Sequence, residues 1–344
     1  MPPTLKEVAK AAGVAPSTAS GILTGRSDSW ASESTRKRVL DAANKLGYRA
    51  NRFARGLRTG TFQTVGLLVP DLLNPIYTVY ARAIERVLEP AGYSLIVEES
   101  KADLEGEKQA VRKLLSSQVD GLLCFFMDYQ AHYETIMNNK PKSLSMVFFG
   151  ESYPDSGIDS IMIDLARGTI EAVDELIGLG HNRIGLLHGY HPGPGRGTDA
   201  RLEFFRYEMA KRDIPLSEEN IIVSGPTVEE AYEQFKQYLE QTDPDKRATA
   251  VFAINDIIAL GVMRAAKDFG LSLPQDLSII GVDNTPLSHY LPISLTTVSY
   301  PIKDISKTAT DFLLARMKGD DEPQREVMFS SRLIRRESTA KAPE

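Results

Sequence analysis

From residue 64 onward, short uninterrupted apolar segments alternate with amphipathic helical patterns, and this alternation constrains the fold more than any other feature of the sequence. Apolar strands between amphipathic helices are typical of a parallel sheet that is covered by helices on both faces. Strands are predicted at 65–69, 94–97, 121–126, 145–149, 183–187, 250–254 and 277–282. Because so many strands exceed one comfortable sheet, we predict an α/β fold with two doubly wound parallel-sheet lobes, and we interpret residues 160–164 as a crossing point. Ligands of such sheets bind at the carboxyl ends of the strands, which would face a cleft between the lobes.

The first fifty residues predict an all-α unit of three short helices. Thr4 and Glu7 have the spacing of a capping box that starts a helix, and Gly13 supplies a tight turn after it. Pro16 suits the first turn of a second helix, and Ser32 suits the N-cap of a third. Two short helices about a glycine turn make a helix-turn-helix. The residues expected to face inward are Leu5, Val8, Ala9, Ala12, Ala19, Ile22, Leu23, Val39, Leu40, Ala43 and Leu46.

Charge is unevenly distributed along the chain, whose formal net charge is -6. Residues 1–60 hold eleven Lys and Arg against four Asp and Glu, a net charge of +7, so the remainder carries -13. A basic segment on an acidic body is expected where that segment neutralises phosphates, although a solvated basic face or a structural helical corner fits the same pattern. The outward residues of the second helix favour DNA, because small hydroxyl side chains can approach phosphates and base edges; they are Pro16, Ser17, Thr18, Ser20 and Gly21.

Six short segments at the N terminus add a resemblance to a known family. They are TLKEVA at 4–9, AGV at 12–14, STAS at 17–20, STR at 34–36, LGY at 46–48 and NR at 51–52. Together they resemble the DNA-binding head of the LacI/GalR family of bacterial transcription regulators, in which a short hinge helix inserts a leucine into the minor groove. Residues 51–58 are similar to that hinge, and Leu57 matches the position of the leucine. An apolar wedge of this kind kinks DNA by partial unstacking.

The resemblance implies a helix-turn-helix domain at 1–50, a hinge helix and linker at 51–62, and DNA contacts by thirteen residues: Thr4, Leu5, Ala15, Pro16, Ser17, Thr18, Ser20, Gly21, Tyr48, Asn51, Arg52, Ala54 and Leu57. Two of these depart from the family. Gly21 stands where an arginine is usual, and Ala15 stands where a serine N-cap is common. Arginine is the most frequent reader of guanine, so base recognition is expected to shift toward Pro16, Ser17 and the hinge.

The body of the chain resembles the type I periplasmic sugar-binding fold that the same family uses as an effector domain. The matching segments are VPD at 69–71, NP at 74–75, Gly168, LGH at 179–181, ND at 255–256, ALG at 259–261, GVD at 281–283 and LTT at 295–297. The resemblance implies an effector-binding domain at 63–338 and a tail at 339–344. Its N-lobe would comprise about 63–161 and 291–322, and its C-lobe about 162–290 and 323–338.

A small-molecule effector is expected in the cleft. Arg201 matches an arginine that binds two adjacent ligand oxygens, Asp283 can accept from neighbouring hydroxyls, Asn255 offers a donor and an acceptor, and Tyr77 can stack on a sugar face. Each of three residues has a structural alternative. Arg201 could be a surface charge, Asp283 a turn residue and Tyr77 a core tyrosine. The complete predicted set is Asp71, Ile76, Tyr77, Phe125, Tyr190, Arg196, Arg201, Thr227, Asn255 and Asp283. Departures from the family at Gly150, Phe204 and Thr227 favour a ligand other than a common sugar.

Composition excludes several other classes of protein. A hydrophobic fraction of 42% and a charged fraction of 25% argue against disorder. The single cysteine, Cys124, lies in an apolar segment, so neither a disulfide framework nor a cysteine-based zinc site is possible. His188 and His191 have no clustered carboxylate or third histidine, and no metal is predicted. The sequence contains no apolar window of eighteen residues and no secretion signal, which indicates a cytoplasmic protein.

These observations predict a transcription regulator, in the first instance a repressor, that binds operator DNA as a homodimer under the control of a sugar or related metabolite. A solute-binding protein shares the body, but the basic head and the absent secretion signal count against it. An enzyme is disfavoured because no Gly-x-Ser-x-Gly elbow is present and the glycine-rich segment 193–197 lacks the Lys-Ser/Thr of a phosphate-binding loop. We read that segment as a mobile loop at the rim of the cleft. No cofactor is expected.

Overall fold

The computed structural model of the chain describes residues 3–23, 31–49, 56, 60–101, 104–125, 137, 141, 144–150, 153–188, 200–214 and 216–344. It divides into two compact units, residues 1–63 and 64–344. The first unit has its own small hydrophobic core, and the second has separate cores in its two lobes.

Three helices make up the first unit: α1 (Leu5–Ala12), α2 (Pro16–Leu23) and α3 (Glu33–Leu46). The predicted capping box is confirmed, since the backbone amide of Glu7 donates to the Thr4 hydroxyl at 3.4 Å and the amide of Thr4 donates to the Glu7 carboxylate at 2.7 Å. Gly13 ends α1 in the left-handed region with φ 65°, and Ser32 caps α3 by accepting from the amide of Thr35. The core contains Val8, Ala9, Ala12, Ala19, Ile22, Val39 and Ala43.

The prediction that Leu40 and Leu46 face the core of this unit is wrong. Leu40 and Leu46 are exposed, at 45% and 39%. The buried stripe of α3 runs through Val39 and Ala43, and Leu40 lies about 100° around the helix from it. Leu46 is the last residue of α3, directly before the Gly47 cap.

The second unit consists of two α/β lobes. The N-lobe contains β1 (Thr64–Val69), α4 (Pro75–Leu88), β2 (Ser94–Glu99), α5 (Leu104–Ser116), β3 (Gly121–Phe125), β4 (Ser145–Phe149), β5 (Asp159–Asp164), α10 (Ile302–Met317) and β11 (Glu326–Ser330). The C-lobe contains α6 (Ala166–Gly178), β6 (Ile184–His188), α7 (Ala200–Ala210), β7 (Ile221–Val223), α8 (Val228–Gln241), β8 (Ala250–Ala253), α9 (Asp256–Asp268), β9 (Ser278–Val282), β10 (Thr296–Ser299) and β12 (Arg332–Ile334).

Each lobe is built around one sheet of six described strands. Their orders are β11-β5-β4-β3-β1-β2 and β12-β10-β9-β8-β6-β7, and every pair is parallel except β10 with β12. The predicted α/β fold with two parallel-sheet lobes is confirmed. The predicted strands all occur with bounds that shift by no more than two residues, apart from residue 126, which lies outside the described residues. Strands β7, β10, β11 and β12 were not predicted, and residues 160–164 form most of β5 just before the chain crosses to α6.

The structure corrects two predicted lobe segments. Strand β10 pairs with β9 in the C-lobe sheet, so residues 291–299 belong to that lobe and not to the N-lobe. Strand β11 pairs with β5, so residues 323–330 belong to the N-lobe and not to the C-lobe. The chain therefore crosses between lobes three times, near Leu165, Tyr300 and Ser331. The predictions failed because short segments carry no local signal of which sheet they join.

The C-terminal residues also belong to the C-lobe, although 339–344 was predicted to be a tail. The amide of Ala340 donates to the Ser278 hydroxyl at 3.0 Å, and the amide of Ala342 donates to the carbonyl of Leu179 at 2.9 Å. His181, which is 2% exposed, lies 3.1 Å through Nε2 from the carbonyl oxygen of Ala340. These hydrogen bonds fasten the end of the chain to the lobe.

Candidate ligand cavity and DNA-binding head

A cavity of about 340 Å³ lies between the two lobes. It opens where the parallel strands of both sheets end, because the last residue of β3 and residues that follow β1, β4, β5, β7, β8, β9 and β10 all contribute to its walls. This is the position at which doubly wound sheets bind ligands. The residues around it are Pro70, Asp71, Asn74, Ile76, Tyr77, Tyr80, Phe125, Phe149, Gly150, Ile163, Leu165, Pro226, Ile254, Asn255, Val282, Asp283 and Tyr300.

Six of the ten predicted effector residues line this cavity: Asp71, Ile76, Tyr77, Phe125, Asn255 and Asp283. Tyr190 and Arg196 lie outside the described residues. Arg201 is in the first turn of α7, and its side chain is likewise outside the described part of the chain. These three residues remain predictions.

Thr227 was predicted to be an effector residue, but it does not line the cavity. It is the N-cap of α8, where its hydroxyl accepts from the amide of Glu230 at 3.2 Å and donates to the Glu230 carboxylate at 2.8 Å. Both hydrogen-bonding functions of the hydroxyl are therefore used in a capping box. The neighbouring Pro226 supplies the contact with the cavity.

Asp283 is the best-defined polar group in the cavity. The Tyr300 hydroxyl donates to its Oδ1 at 2.7 Å, and Nδ2 of Asn74 donates to its Oδ2 at 3.5 Å. Asn74 precedes an N-lobe helix and Asp283 follows a C-lobe strand, so this carboxylate joins the lobes across the cavity. Asp283 and Asn284 have φ values of 108° and 50°, a left-handed conformation that side chains other than glycine adopt at a cost.

A buried carboxylate below the cavity supports this unusual turn. Asp256 accepts from the amide and hydroxyl of Thr285 at 2.7 and 2.9 Å and from the hydroxyl of Thr297 at 2.6 Å. Burial raises the pKa of Asp256, and these hydrogen bonds oppose the shift. The amide of Asn284 also donates to the Thr297 hydroxyl, at 3.2 Å. Hydrogen bonds to buried side chains thus stabilise the turn that carries Asp283.

Two asparagines at the cavity act as helix caps. Oδ1 of Asn74 accepts from the amide of Ile76 at 3.0 Å, and Oδ1 of Asn255 accepts from the amide of Ile258 at 2.8 Å. Oδ1 of Asn255 thus caps α9 through one of its two lone pairs. The predicted role of Asn255 as both donor and acceptor stays a prediction.

Asp71 adds a second carboxylate at the end of β1. Its Oδ1 accepts from the amide of Leu73 at 2.7 Å. Burial raises the pKa of Asp71, the Leu73 hydrogen bond opposes this shift, and the nearby carboxylate of Glu99 adds to it. The polar groups described around the cavity are therefore carboxylates, amides and phenols.

Aromatic rings form one wall of the cavity. Phe125 and Phe149 are stacked with their centroids 4.1 Å apart, and Tyr77 and Tyr80 meet Phe125 edge-on at 5.4 and 4.8 Å. Sequence reasoning missed Tyr80 and Tyr300. Tyr80 could have been found from its helical spacing of three residues from Tyr77, which places both on one face of α4. Tyr300 follows β10, a strand whose pattern was too short to recognise.

Four of the thirteen predicted DNA contacts are exposed on the described part of the head. Thr4, Ala15, Pro16 and Ser17 are exposed, whereas Thr18, Ser20 and Gly21 are half-buried on the outer side of α2. Leu5 and Tyr48 pack against the core of the head, which makes them supports as well as candidate contacts. The predicted hinge contacts Asn51, Arg52, Ala54 and Leu57 lie outside the described residues.

A search of the residues that the structure describes finds no cluster of His, Cys, Asp and Glu able to hold a metal ion. None of the helices within those residues is long and apolar enough to cross a membrane.

Comparison with known proteins identifies the family of the chain. The model for bacterial regulatory proteins of the lacI family matches residues 4–51, and that for a periplasmic binding protein-like domain matches 173–339. Catabolite control protein A of Priestia megaterium is 31% identical over 336 residues, which cover 98% of this chain and 99% of that protein.

Solved structures agree with this assignment. A lac repressor dimer bound to operator and the anti-inducer ONPF has a TM-score of 0.79 and 27% identity, covering 99% of this chain and 100% of that one. A LacI family regulator from Enterococcus faecium with bound ribose has a TM-score of 0.68 and 27% identity, covering 81% and 99% of the two chains. The chain belongs to the LacI family of bacterial regulatory proteins, and it is a DNA-binding transcriptional regulator with an effector-binding domain and not an enzyme.

Proposed function

We propose that two copies of this chain bind a palindromic operator in the cytoplasm and repress transcription, and that a sugar or related metabolite in the cavity controls their affinity for DNA. The observation that carries this proposal is the position of the cavity between two lobes, with Asp283 of one lobe bonded to Asn74 of the other. A molecule bound there contacts both lobes and is sensitive to their arrangement.

The coupling follows from linkage. A ligand that binds one lobe arrangement more tightly than another shifts the population toward that arrangement, and the operator affinity changes by the corresponding ratio. Typical coupling free energies of about 1–3 kcal/mol correspond to changes of roughly 5- to 150-fold. The same ligand that alters DNA binding must in turn bind more or less tightly when DNA is present.

The DNA-binding role rests on the head. Its net charge of +7 over residues 1–60 favours phosphate contacts, and α2 exposes Pro16 and Ser17 while it buries Ala19 and Ile22. The hinge residues 51–58, with Leu57 as the minor-groove wedge, complete the proposed interface. The dimer with operator seen for the lac repressor supports the same arrangement for this chain.

The effector contacts proposed within the described residues are Asp71, Ile76, Tyr77, Phe125, Asn255 and Asp283. Tyr190, Arg196 and Arg201 are proposed to complete the site. Arg201 is expected to bind two adjacent ligand oxygens, because a guanidinium offers paired donors in a rigid plane. Ribose bound to the Enterococcus faecium relative supports a polyhydroxylated effector here.

The test begins with selection of a binding duplex from a random pool, followed by fluorescence anisotropy with and without a panel of sugars and nucleosides. We expect one member of the panel to change the operator Kd at least fivefold. Arg201→Ala should lose this response and keep the operator affinity, whereas Ser17→Ala should lose operator affinity and keep ligand binding. A protein that selects no duplex at low salt, with or without the panel, would refute the proposal.

A further inference from the structure

One hydroxyl at the cavity is unexplained by the fold. Tyr80 is 1% exposed and lines the cavity, and its hydroxyl has no hydrogen-bond partner among the residues that the structure describes. The buried Tyr238 shows the usual situation, since its hydroxyl donates to Asn220 and accepts from the amide of Ala248, both at 2.7 Å. A buried tyrosine hydroxyl normally has such partners because burial deprives it of water.

Packing accounts for the ring of Tyr80 but not for its hydroxyl. The ring meets Phe125 and Phe149 edge-on at 4.8 and 5.8 Å and lies nearly parallel to Tyr300 at 6.5 Å. A phenylalanine would make the same ring contacts. The buried hydroxyl therefore carries a desolvation penalty, and the ring contacts do not explain why it is present.

The surroundings indicate which ligand group could pair with this hydroxyl. Burial, followed by the negative charge of Asp283, raises the pKa of Tyr80 and of Tyr300, so both phenols are protonated at neutral pH. The Tyr80 hydroxyl is thus a donor close to a carboxylate that accepts from Tyr300. A ligand atom between Tyr80 and Asp283 has to accept from the first and donate to the second. A hydroxyl does both, an ammonium group only donates, and a phosphate oxygen only accepts and is repelled by Asp283.

We propose that Tyr80 is a specificity-determining residue of the cavity, whose hydroxyl donates to a ligand hydroxyl that in turn donates to Asp283. This inference rests on the proposed function, because it takes the cavity as the effector site, and it adds the ligand group that is recognised. The Tyr80 hydroxyl is shielded from water, so a ligand hydroxyl can reach it only if the aromatic rings beside it move.

The first test needs no ligand. Thermal unfolding of the full chain is compared for the wild type, Tyr80→Phe, Tyr300→Phe and the surface control Tyr290→Phe, whose side chain is 80% exposed. Tyr80→Phe is expected to be at least as stable as the wild type, since it removes an unpaired buried group. Tyr300→Phe should unfold at a lower temperature, because it removes a donor from Asp283. If Tyr80→Phe is destabilised as much as Tyr300→Phe, the hydroxyl has a structural partner and the inference fails.

The second test measures binding by thermal shift and calorimetry with D-ribose, D-glucose, D-galactose and cellobiose. The sugar that binds the wild type should bind Tyr80→Phe roughly 3- to 10-fold more weakly, the value of one hydrogen bond, and should bind Tyr290→Phe unchanged. Equal affinities of the wild type and Tyr80→Phe would overturn the inference, as would the absence of binding by every sugar.

The outcome is separable from that of the proposed function. Operator binding is measured on the same preparations by anisotropy. A protein that binds a duplex but no sugar keeps the DNA-binding function and loses this inference. A protein that binds a sugar through Tyr80 but selects no duplex keeps this inference and loses the regulatory function.

Discussion

Replacement of Asp256 by alanine tests how the cavity presents Asp283. The Asp256 carboxylate accepts three hydrogen bonds, two from Thr285 and one from Thr297, at 2.6–2.9 Å. Thr285 directly follows two residues with positive φ, Asp283 and Asn284. Asp256→Ala should therefore destabilise the C-lobe and loosen the turn that carries Asp283.

The size of the loss can be worked out from these three bonds. Asp256, Thr285 and Thr297 are 1%, 4% and 0% exposed, so water cannot replace the lost acceptor. The amide of Thr285 cannot rotate away, and leaving it unpaired costs about 1–3 kcal/mol. Each hydroxyl can turn toward another acceptor and adds roughly 1 kcal/mol or less. Removal of a buried carboxylate recovers part of this, and we expect a net loss of about 3 kcal/mol.

Urea unfolding followed by circular dichroism measures the loss. With a dependence of about 1–3 kcal/mol per molar urea, a loss of about 3 kcal/mol should lower the C-lobe midpoint by roughly 1–3 M. Asp256→Asn is the matched control, because it retains an oxygen for Thr285 and an NH₂ group that can donate to the Thr297 hydroxyl; it should lose only about 1 kcal/mol. A loss below about 1 kcal/mol for alanine, or equal losses for alanine and asparagine, would contradict the hydrogen-bond argument.

Three further outcomes are expected. Operator affinity should fall about 10³- to 10⁵-fold between roughly 50 and 200 mM salt if 6–10 phosphates are contacted, and a flat salt titration would remove the DNA-binding role of the head. Leu57→Ala should weaken operator binding more than nonspecific binding in competition assays, whereas equal losses would exclude a wedge. Burial lowers the pKa of His181 below its ordinary value of 6.5, so the unfolded chain protonates first and stability should fall as the pH drops from 6.5 toward the folded pKa. In His181→Gln the melting temperature should depend less on pH in that window. An unchanged dependence on pH would assign the effect to other groups.

The fold class was predictable because its signals are local. Apolar runs such as 65–69 and 145–149 became parallel strands, and the Thr4 capping box and Gly13 turn lie where the spacing placed them. Assignment of segments to lobes was not predictable in the same way. Strands β10 and β11 are short and half-polar; β10 joins β9, the strand just before it in the chain, whereas β11 joins the distant β5. No pattern within such a segment specifies its partner.

The candidate cavity shows the same division. Asp71 and Asp283 follow buried strands, so their placement at the carboxyl ends of the sheets could be inferred from the sequence. Thr227 was misassigned because its hydroxyl serves the helix it starts, and a capping box can be read from Thr227 and Glu230 alone. Tyr300 could be identified as a cavity residue only from the structure, since it lies where the chain passes from one lobe to the other.

The three crossings between lobes have a consequence for synthesis of the protein. The sheet that begins at Thr64 gains its last strand only when residues 326–330 are made, almost at the end of translation. The head, by contrast, is complete after the first fifty or so residues have emerged. A ribosome that stalls or terminates before Ser330 therefore releases a finished DNA-reading module attached to two unfinished lobes, which cannot report on any metabolite.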